Sequence, residues 1–175
     1  MVMRLRQLFR DDSLPFLNVQ LPMWIAAGDE DKHDWARLRL AQARAASALQ
    51  PGGLAILLDC GEFDNIHPTD KRTPGERLCD VALRVVYGMD APESPRALGK
   101  YTQGDTLVVT LSAPVLRRET GELLLEIAGE DGAYHPVQSV TLDGTEMRLR
   151  SVAVLHPAKV RFAYVNWGKV ALLGR

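Results

Sequence analysis

The sequence predicts an α/β fold, a partial parallel sheet with helices, followed by a small antiparallel β-module. Three observations lead there. Strand and helix patterns alternate before residue 90, a proline-rich stretch interrupts the chain at 89–99, and short runs alternating apolar with polar residues follow. The expected division is an α/β part over 1–90, a linker over 91–99 and a β-module over 100–175.

In the first part, "LPFLNVQLP" (14–22) is an apolar run punctuated by proline and long enough for one buried strand. From Trp35, the residues Leu38, Ala41, Ala45 and Leu49 recur at helical spacing, with Arg37, Arg39 and Arg44 elsewhere around the helix. "QPGG" (50–53) ends that helix, because proline cannot continue it and glycine favours the turn. "LAILLD" (54–59) then reads as a strand buried on both faces, as in a parallel sheet. A second helix is predicted from Thr73 as N-cap, with Pro74 at N1 and Glu76 at N3 forming a capping box. Leu78, Val81, Ala82, Val85 and Val86 give its buried stripe, and Gly88 stops it.

In the second part the strand candidates are "TLVVTLS" (106–112), "LLLEIAG" (123–129), "VQSVTL" (137–142), "EMRLRSVAVL" (146–155) and "VRFAYV" (160–165). Turn signals separate them at "GEDG" (129–132), "LDGT" (142–145) and "HPA" (156–158).

Composition narrows the function classes. Apolar residues make up 46% of the 175 residues and charged residues 25%, enough for a buried core. A net charge of −1 gives no electrostatic case for nucleic acid or an anionic membrane. The longest apolar runs are strand-length, too short to span a bilayer. "MVMRLRQLFRDD" is basic but lacks a following apolar core, so no export signal is read, and a cytoplasmic location is the default expectation. Cys60 and Cys79 are expected as buried thiols rather than a disulfide. No Cys/His spacing suggests zinc, and no cofactor is expected.

The chemistry-bearing stretch is "DNIHPTDKRTPGERL" (64–78). Asp64 and His67 lie just past the carboxyl end of a predicted parallel strand, where open α/β sheets place their ligands. A carboxylate that accepts from one imidazole nitrogen fixes the tautomer and frees the other nitrogen as general base. Pro68 pushes His67 away from helical geometry. An ordinary polar loop also carries an acid and a histidine three apart, so spacing alone leaves both readings open.

The wider stretch "DNIHPTDKRTPGERLCDVALRVVYG" resembles the last signature block of the sialate O-acetylesterases, a branch of the SGNH (GDSL-like) hydrolases. Asp64, His67, Pro68, Lys71, Gly75, Arg77, Leu78, Ala82, Leu83, Tyr87 and Gly88 fit its register, with Cys79 in place of the usual alanine. "LPFLNVQLPMW" (14–24), "LRLAQ" (38–42), "LAILLDCGE" (54–62) and "VRFAY" (160–164) are similar to other segments of that family. The resemblance implies an SGNH-type sheet and an acetylated sugar as substrate. It also implies His67 as general base, oriented by Asp64 and serving a serine nucleophile. The family is often exported.

The family's nucleophile block, G-x-S-N, does not occur, nor does a later G-E-S-N-like block. None of Ser13, Ser47, Ser94, Ser112, Ser139 and Ser151 sits in a glycine-flanked strand-to-helix turn. The expectation is a rear half of an esterase, nearly inactive alone, that forms a homodimer or docks on a complementing front half through an exposed sheet edge. The rival is a non-catalytic module that binds carbohydrate or protein.

Other candidates carry plainer readings. Asp29, Glu30, Asp31, His33 and Asp34 are dense enough for a cation but lack the calcium-loop pattern, so a solvated loop is expected. His135 and His156 read as turn residues before proline. Trp24 and Trp35 are expected in packing, with sugar stacking as the alternative. Arg77 is expected in a structural salt bridge rather than on a substrate carboxylate. The ending "NWGKVALLGR" departs from the family's.

Overall fold

The computed structural model describes residues 1–174, which divide into two compact units. The first comprises residues 1–93 together with Val165–Trp167, and the second comprises 94–164 and 168–174.

The first unit contains α1 (Val2–Phe9), β1 (Phe16–Val19), α2 (Asp34–Ala48), β2 (Gly52–Ala55) and α3 (Arg72–Val85). β1 and β2 pair in parallel, Phe16 opposite Gly52 through Val19 opposite Ala55. That is a β–α–β crossover with a two-stranded parallel sheet. Both strands are shorter than the apolar runs that predict them. Proline at positions 15 and 22 removes ladder donors at the two ends of the first run. Past Val19, Gln20 donates its backbone N–H to Ala55, and its buried side-chain oxygen accepts from Leu57 N–H. A glutamine side chain thus takes over where the regular ladder stops.

Three helix expectations need correction. The basic start, read only as a non-signal, forms α1, and Arg6 buries its guanidinium against the carbonyls of Leu14 and Pro51. On α2 the buried face carries Ala36, Arg39 and Ala46, while Leu38 is 45% exposed. Arg39, assigned to the polar side by its charge, is buried because its long side chain reaches the Val165 carbonyl at 2.6 Å. Burial lowers its pKa to about 10. α3 starts at Arg72, and its first amides are capped by Asp70, whose Oδ1 accepts from Arg72 N–H and Thr73 N–H at 3.0 Å each. The Thr73–Glu76 capping box does not form, and Glu76 pairs instead with Arg72 one turn back at 2.6 Å.

Of the predicted α3 stripe only Val81 is fully buried, and Val86 is exposed. Val81 lies so close to β2 that a Cβ on Gly53 would come within 2.3 Å of its Cγ1. Both cysteines are free, and the expectation that both are buried fails for Cys79, which is exposed on α3, and holds only in part for Cys60, which is half-buried. Burial raises the Cys60 thiol to about 11, so it stays protonated at neutral pH.

The second unit holds β3 (Ala97–Gln103), β4 (Thr106–Leu111), β5 (Val115–Arg117), β6 (Leu125–Ala128), β7 (His135–Pro136), β8 (Ser139–Asp143), β9 (Glu146–Arg150), β10 (Lys159–Phe162) and β11 (Leu172–Gly174). They form antiparallel sheets of order β3-β4-β9-β8, β10-β6-β7 and β11-β5. Leu107, Val109, Leu125, Ile127, Met147 and Leu149 anchor its core. The β8–β9 turn places Gly144 at φ 57°, a conformation that glycine adopts without Cβ strain. β3 begins inside the stretch expected as a linker. It is exposed at all seven positions, so it carries no alternating pattern.

Among the described residues no helix is long and apolar enough to cross a membrane.

Candidate active site at the carboxyl ends of the parallel strands

Two loops leave the carboxyl ends of the parallel pair: residues 20–33 after β1 and residues 56–71 after β2. The second carries Asp64 and His67.

Its base is fixed by Arg77, reaching back from α3. The guanidinium donates to both Asp59 oxygens, at 2.6 and 2.8 Å, and to the Ile56 carbonyl at 2.7 Å. Burial alone would raise the Asp59 pKa, but the hydrogen bonds and charge of Arg77 outweigh it and hold the carboxyl below its ordinary value. Arg77 therefore serves the structural role expected of it. Next, Gly61 passes close to the first loop, since a Cβ there would lie 2.0 Å from the Met23 carbonyl oxygen. Only glycine allows that approach.

The loop's own turn is organised by Glu62, which the sequence reading did not single out. Its Oε1 accepts from Thr69 N–H (2.7 Å) and Thr69 Oγ1 (2.6 Å), and its Oε2 from Asn65 Nδ2 (2.7 Å). The Thr69 hydroxyl and amide, then Asn65, keep the Glu62 carboxyl below its ordinary range. Asn65 in turn accepts from the His67 backbone N–H at 3.0 Å. The sequence did hold a signal for this arrangement, an acid followed at three and seven residues by side-chain and backbone donors.

Asp64 and His67 share this loop, both exposed, but the expected hydrogen bond between their side chains is not formed. Asp64 stands in the left-handed region at φ 58°. Its Oδ1 accepts from Ala27 N–H at 2.8 Å, while its own N–H donates to Ile25 O at 3.2 Å. The carboxylate is thereby a latch between the two rim loops. Pro68, next to the histidine, is buried.

The first loop is held differently. Asn166 is only 6% exposed and satisfies every polar group it has. Its N–H donates to Asp31 Oδ2 (2.8 Å), its carbonyl accepts from Trp24 N–H (2.8 Å), its Oδ1 from Trp35 N–H (3.0 Å), and its Nδ2 donates to Asp34 Oδ1 (2.7 Å). The Asn166 side chain is the main reason that Asp34 titrates below its ordinary value. Asp31 also lies 3.3 Å from His33 Nδ1, so an acid–histidine contact exists, but at a different pair from the one expected. The acidic run expected to be solvated is in part an internal framework, and among the described residues no group of three metal-ligating side chains forms.

Trp24 and Trp35 pack with ring centroids 5.3 Å apart and planes tilted 58°. The Trp35 indole donates to the Pro22 carbonyl at 2.7 Å, whereas the buried Trp24 Nε1–H meets no acceptor. Trp167 packs on Phe63 of the second loop at 5.8 Å, so the segment 165–167 touches both loops. Its role escaped the sequence reading because its partners lie more than 100 positions away.

Neither serine before residue 93 stands at this rim. Ser13 Oγ donates to Asp11 ahead of β1, and Ser47 Oγ to Ala43 within α2.

No protein-family model matches the chain, and no curated protein matches it by sequence. A solved structure does match. The chain is similar over its whole length to a carbohydrate acetylesterase from Xanthomonas citri, at 32% identity and a TM-score of 0.87. It spans 42% of that protein's length. The chain thus has the fold of part of a carbohydrate acetylesterase, which supports the α/β class. The part of that esterase outside the match is longer than the part inside it.

Proposed function

We propose that this chain is the base-bearing part of an SGNH-type carbohydrate acetylesterase, related in its His67 loop to the sialate O-acetylesterases. The observation that carries the reading is the likeness, along all 175 residues, to a carbohydrate acetylesterase. The placement of His67 on the carboxyl rim of parallel strands agrees with it. In this reading a serine hydroxyl from a segment outside these residues attacks the acetyl carbonyl of a sugar ester. His67 takes the hydroxyl proton and returns it to the departing sugar oxygen, and water then releases acetate from the acyl-enzyme. Asp64 would orient the imidazole through Oδ2, because Oδ1 is held by Ala27. Catalytic hydrogen bonds of this kind often tighten only once substrate binds.

The serine-bearing segment would come from a second body of chain or a complementing partner seated on the unpaired edge of β1, and a homodimer through that edge is the alternative assembly. Light scattering separates the two.

A second reading, a non-catalytic carbohydrate- or protein-binding module, is favoured by one observation, the absence of an Asp64–His67 hydrogen bond.

The deciding experiment measures p-nitrophenyl acetate hydrolysis by the chain alone and mixed with a G-x-S-N-bearing polypeptide encoded beside it. The expected result is little rate alone, hydrolysis in the mixture, and a loss of at least about 100-fold in His67→Ala. Hydrolysis that persists undiminished in His67→Ala would overturn the proposal in favour of the second reading.

A further inference from the structure

A pocket of about 240 Å³ opens in the first loop, lined by Trp24, Trp35, Asp29, Glu30, Lys32 and Asn166 among others. We propose that it is a sugar subsite that accepts uncharged and rejects anionic sugars. The assignment rests on the carbohydrate acetylesterase reading above and adds the site and a charge class that sets this pocket apart from one for sialate, a carboxylated sugar.

Location is the first support. Ile25 and Ala26 line the pocket, and Asp64 is hydrogen-bonded to Ile25 O and Ala27 N–H, so its wall is tied to the loop that bears His67. Construction is the second. Asn166 fixes the backbones of Trp24 and Trp35 and the carboxylate of Asp34 from a buried position, which gives the pocket a rigid frame. Chemistry is the third. Sugar rings present C–H faces that pack on indoles and hydroxyls that donate to carboxylates. Here two indoles stand beside the exposed acids Asp29 and Glu30, neither of which has a hydrogen-bonded side chain.

Charge then sets specificity. Three carboxylates, Asp29, Glu30 and Asp34, face one ammonium, Lys32, leaving the lining negative by two. Asn166 helps keep Asp34 ionised. A carboxylated sugar would bring like charge into that lining, and such juxtaposition is a means of rejecting partners.

The test uses the complete 175-residue chain labelled with ¹⁵N, whose three tryptophans give three indole signals. The probes are neutral tetrasaccharides of glucose, mannose, xylose and galactose, with tetragalacturonate as the anionic counterpart. At least one neutral tetrasaccharide should shift the Trp24 and Trp35 indole signals saturably. Tetragalacturonate should bind at least tenfold more weakly. The double substitution Asp29→Ala/Glu30→Ala, made at exposed positions, should weaken the neutral sugar at least fivefold while the rest of the spectrum stays in place. The subsite is overturned if no neutral tetrasaccharide moves these signals, if tetragalacturonate binds as well, or if the double variant binds unchanged. Hydrolysis plays no part in the readout. Sugar binding alongside hydrolysis indifferent to His67→Ala would leave the subsite standing and remove the esterase reading. Loss of hydrolysis in His67→Ala without sugar binding would do the reverse.

Discussion

The two loops at the carboxyl rim are built on opposite plans. The loop after β2 is tied by acids close in sequence to what they hold: Glu62 to Asn65 and Thr69, and Asp70 to Arg72 and Thr73. The loop after β1 is held by Asn166, more than 100 residues downstream. Each loop also contains an acid–histidine neighbour pair, and only Asp31–His33 is in contact. Asp64 is engaged by a backbone amide of the other loop before His67 can claim it. An acid's nearest histidine in sequence is one candidate partner among many, and a well-placed backbone N–H competes with it directly.

The sharpest way to break the contrast is Asn166→Ala. Removing its side chain leaves the buried Ala36 N–H without its acceptor, takes one of two acceptors from Trp35 N–H and removes a donor from the exposed Asp34 carboxylate. The expected cost is about 3 kcal/mol, which at about 2–4 °C per kcal/mol lowers the melting transition by about 6–12 °C. Amide exchange should rise in 24–36 and stay unchanged in 62–70. Equal loosening of both loops would show that the plans are not independent.

Arg77→Met acts on the second loop from its base. Asp59, 18% exposed at its side chain, loses a two-pronged partner, and the Ile56 carbonyl loses a donor. Thermal melting should report a loss of about 2 kcal/mol.

A smaller effect separates the latch from the charge at Asp64. Asp64→Ala removes the acceptor for Ala27 N–H and places a β-carbon residue without a compensating polar side chain at φ 58°. A loss of about 1 kcal/mol in chemical denaturation is expected. Asp64→Asn keeps the acceptor and tolerates that conformation, so its stability should match the parent. If Asp64→Asn falls as far as Asp64→Ala, the charge rather than the acceptor holds the loops together.

The mildest change is acidification. The folded-state pKa of Glu62 is depressed, chiefly by the Thr69 hydroxyl and amide, so its contribution is present above the ordinary carboxylate range and is lost as pH falls through the lowered value. Protection of the Thr69 amide should therefore hold near pH 5 and decline toward about pH 3. Protection that rises on acidification would contradict the assignment of Glu62 as the loop's organiser.

How much of this could be read beforehand varied with the range of the interactions. The β–α–β order, the turn at Gly144, most strands of the second unit and the rim position of His67 follow from local periodicity and turn chemistry. The buried face of α2 did not, because Arg39 looks like a surface residue until the Val165 carbonyl appears beside it. The start of α3 was misread for a related reason. Thr73 is the expected cap, and only backbone geometry shows that Asp70, three residues earlier, takes that role.

By itself, then, the sequence determined the alternation of elements and the presence of an acid and a histidine in one loop after a strand, since these depend on residues a few positions apart. The tertiary structure alone decided which acid meets which donor. Asp64 turns to Ala27, Asp31 to His33, and Asn166 closes the first loop across the chain. Hydrogen bonds reach only about 3 Å, and folding decides which groups come within that distance.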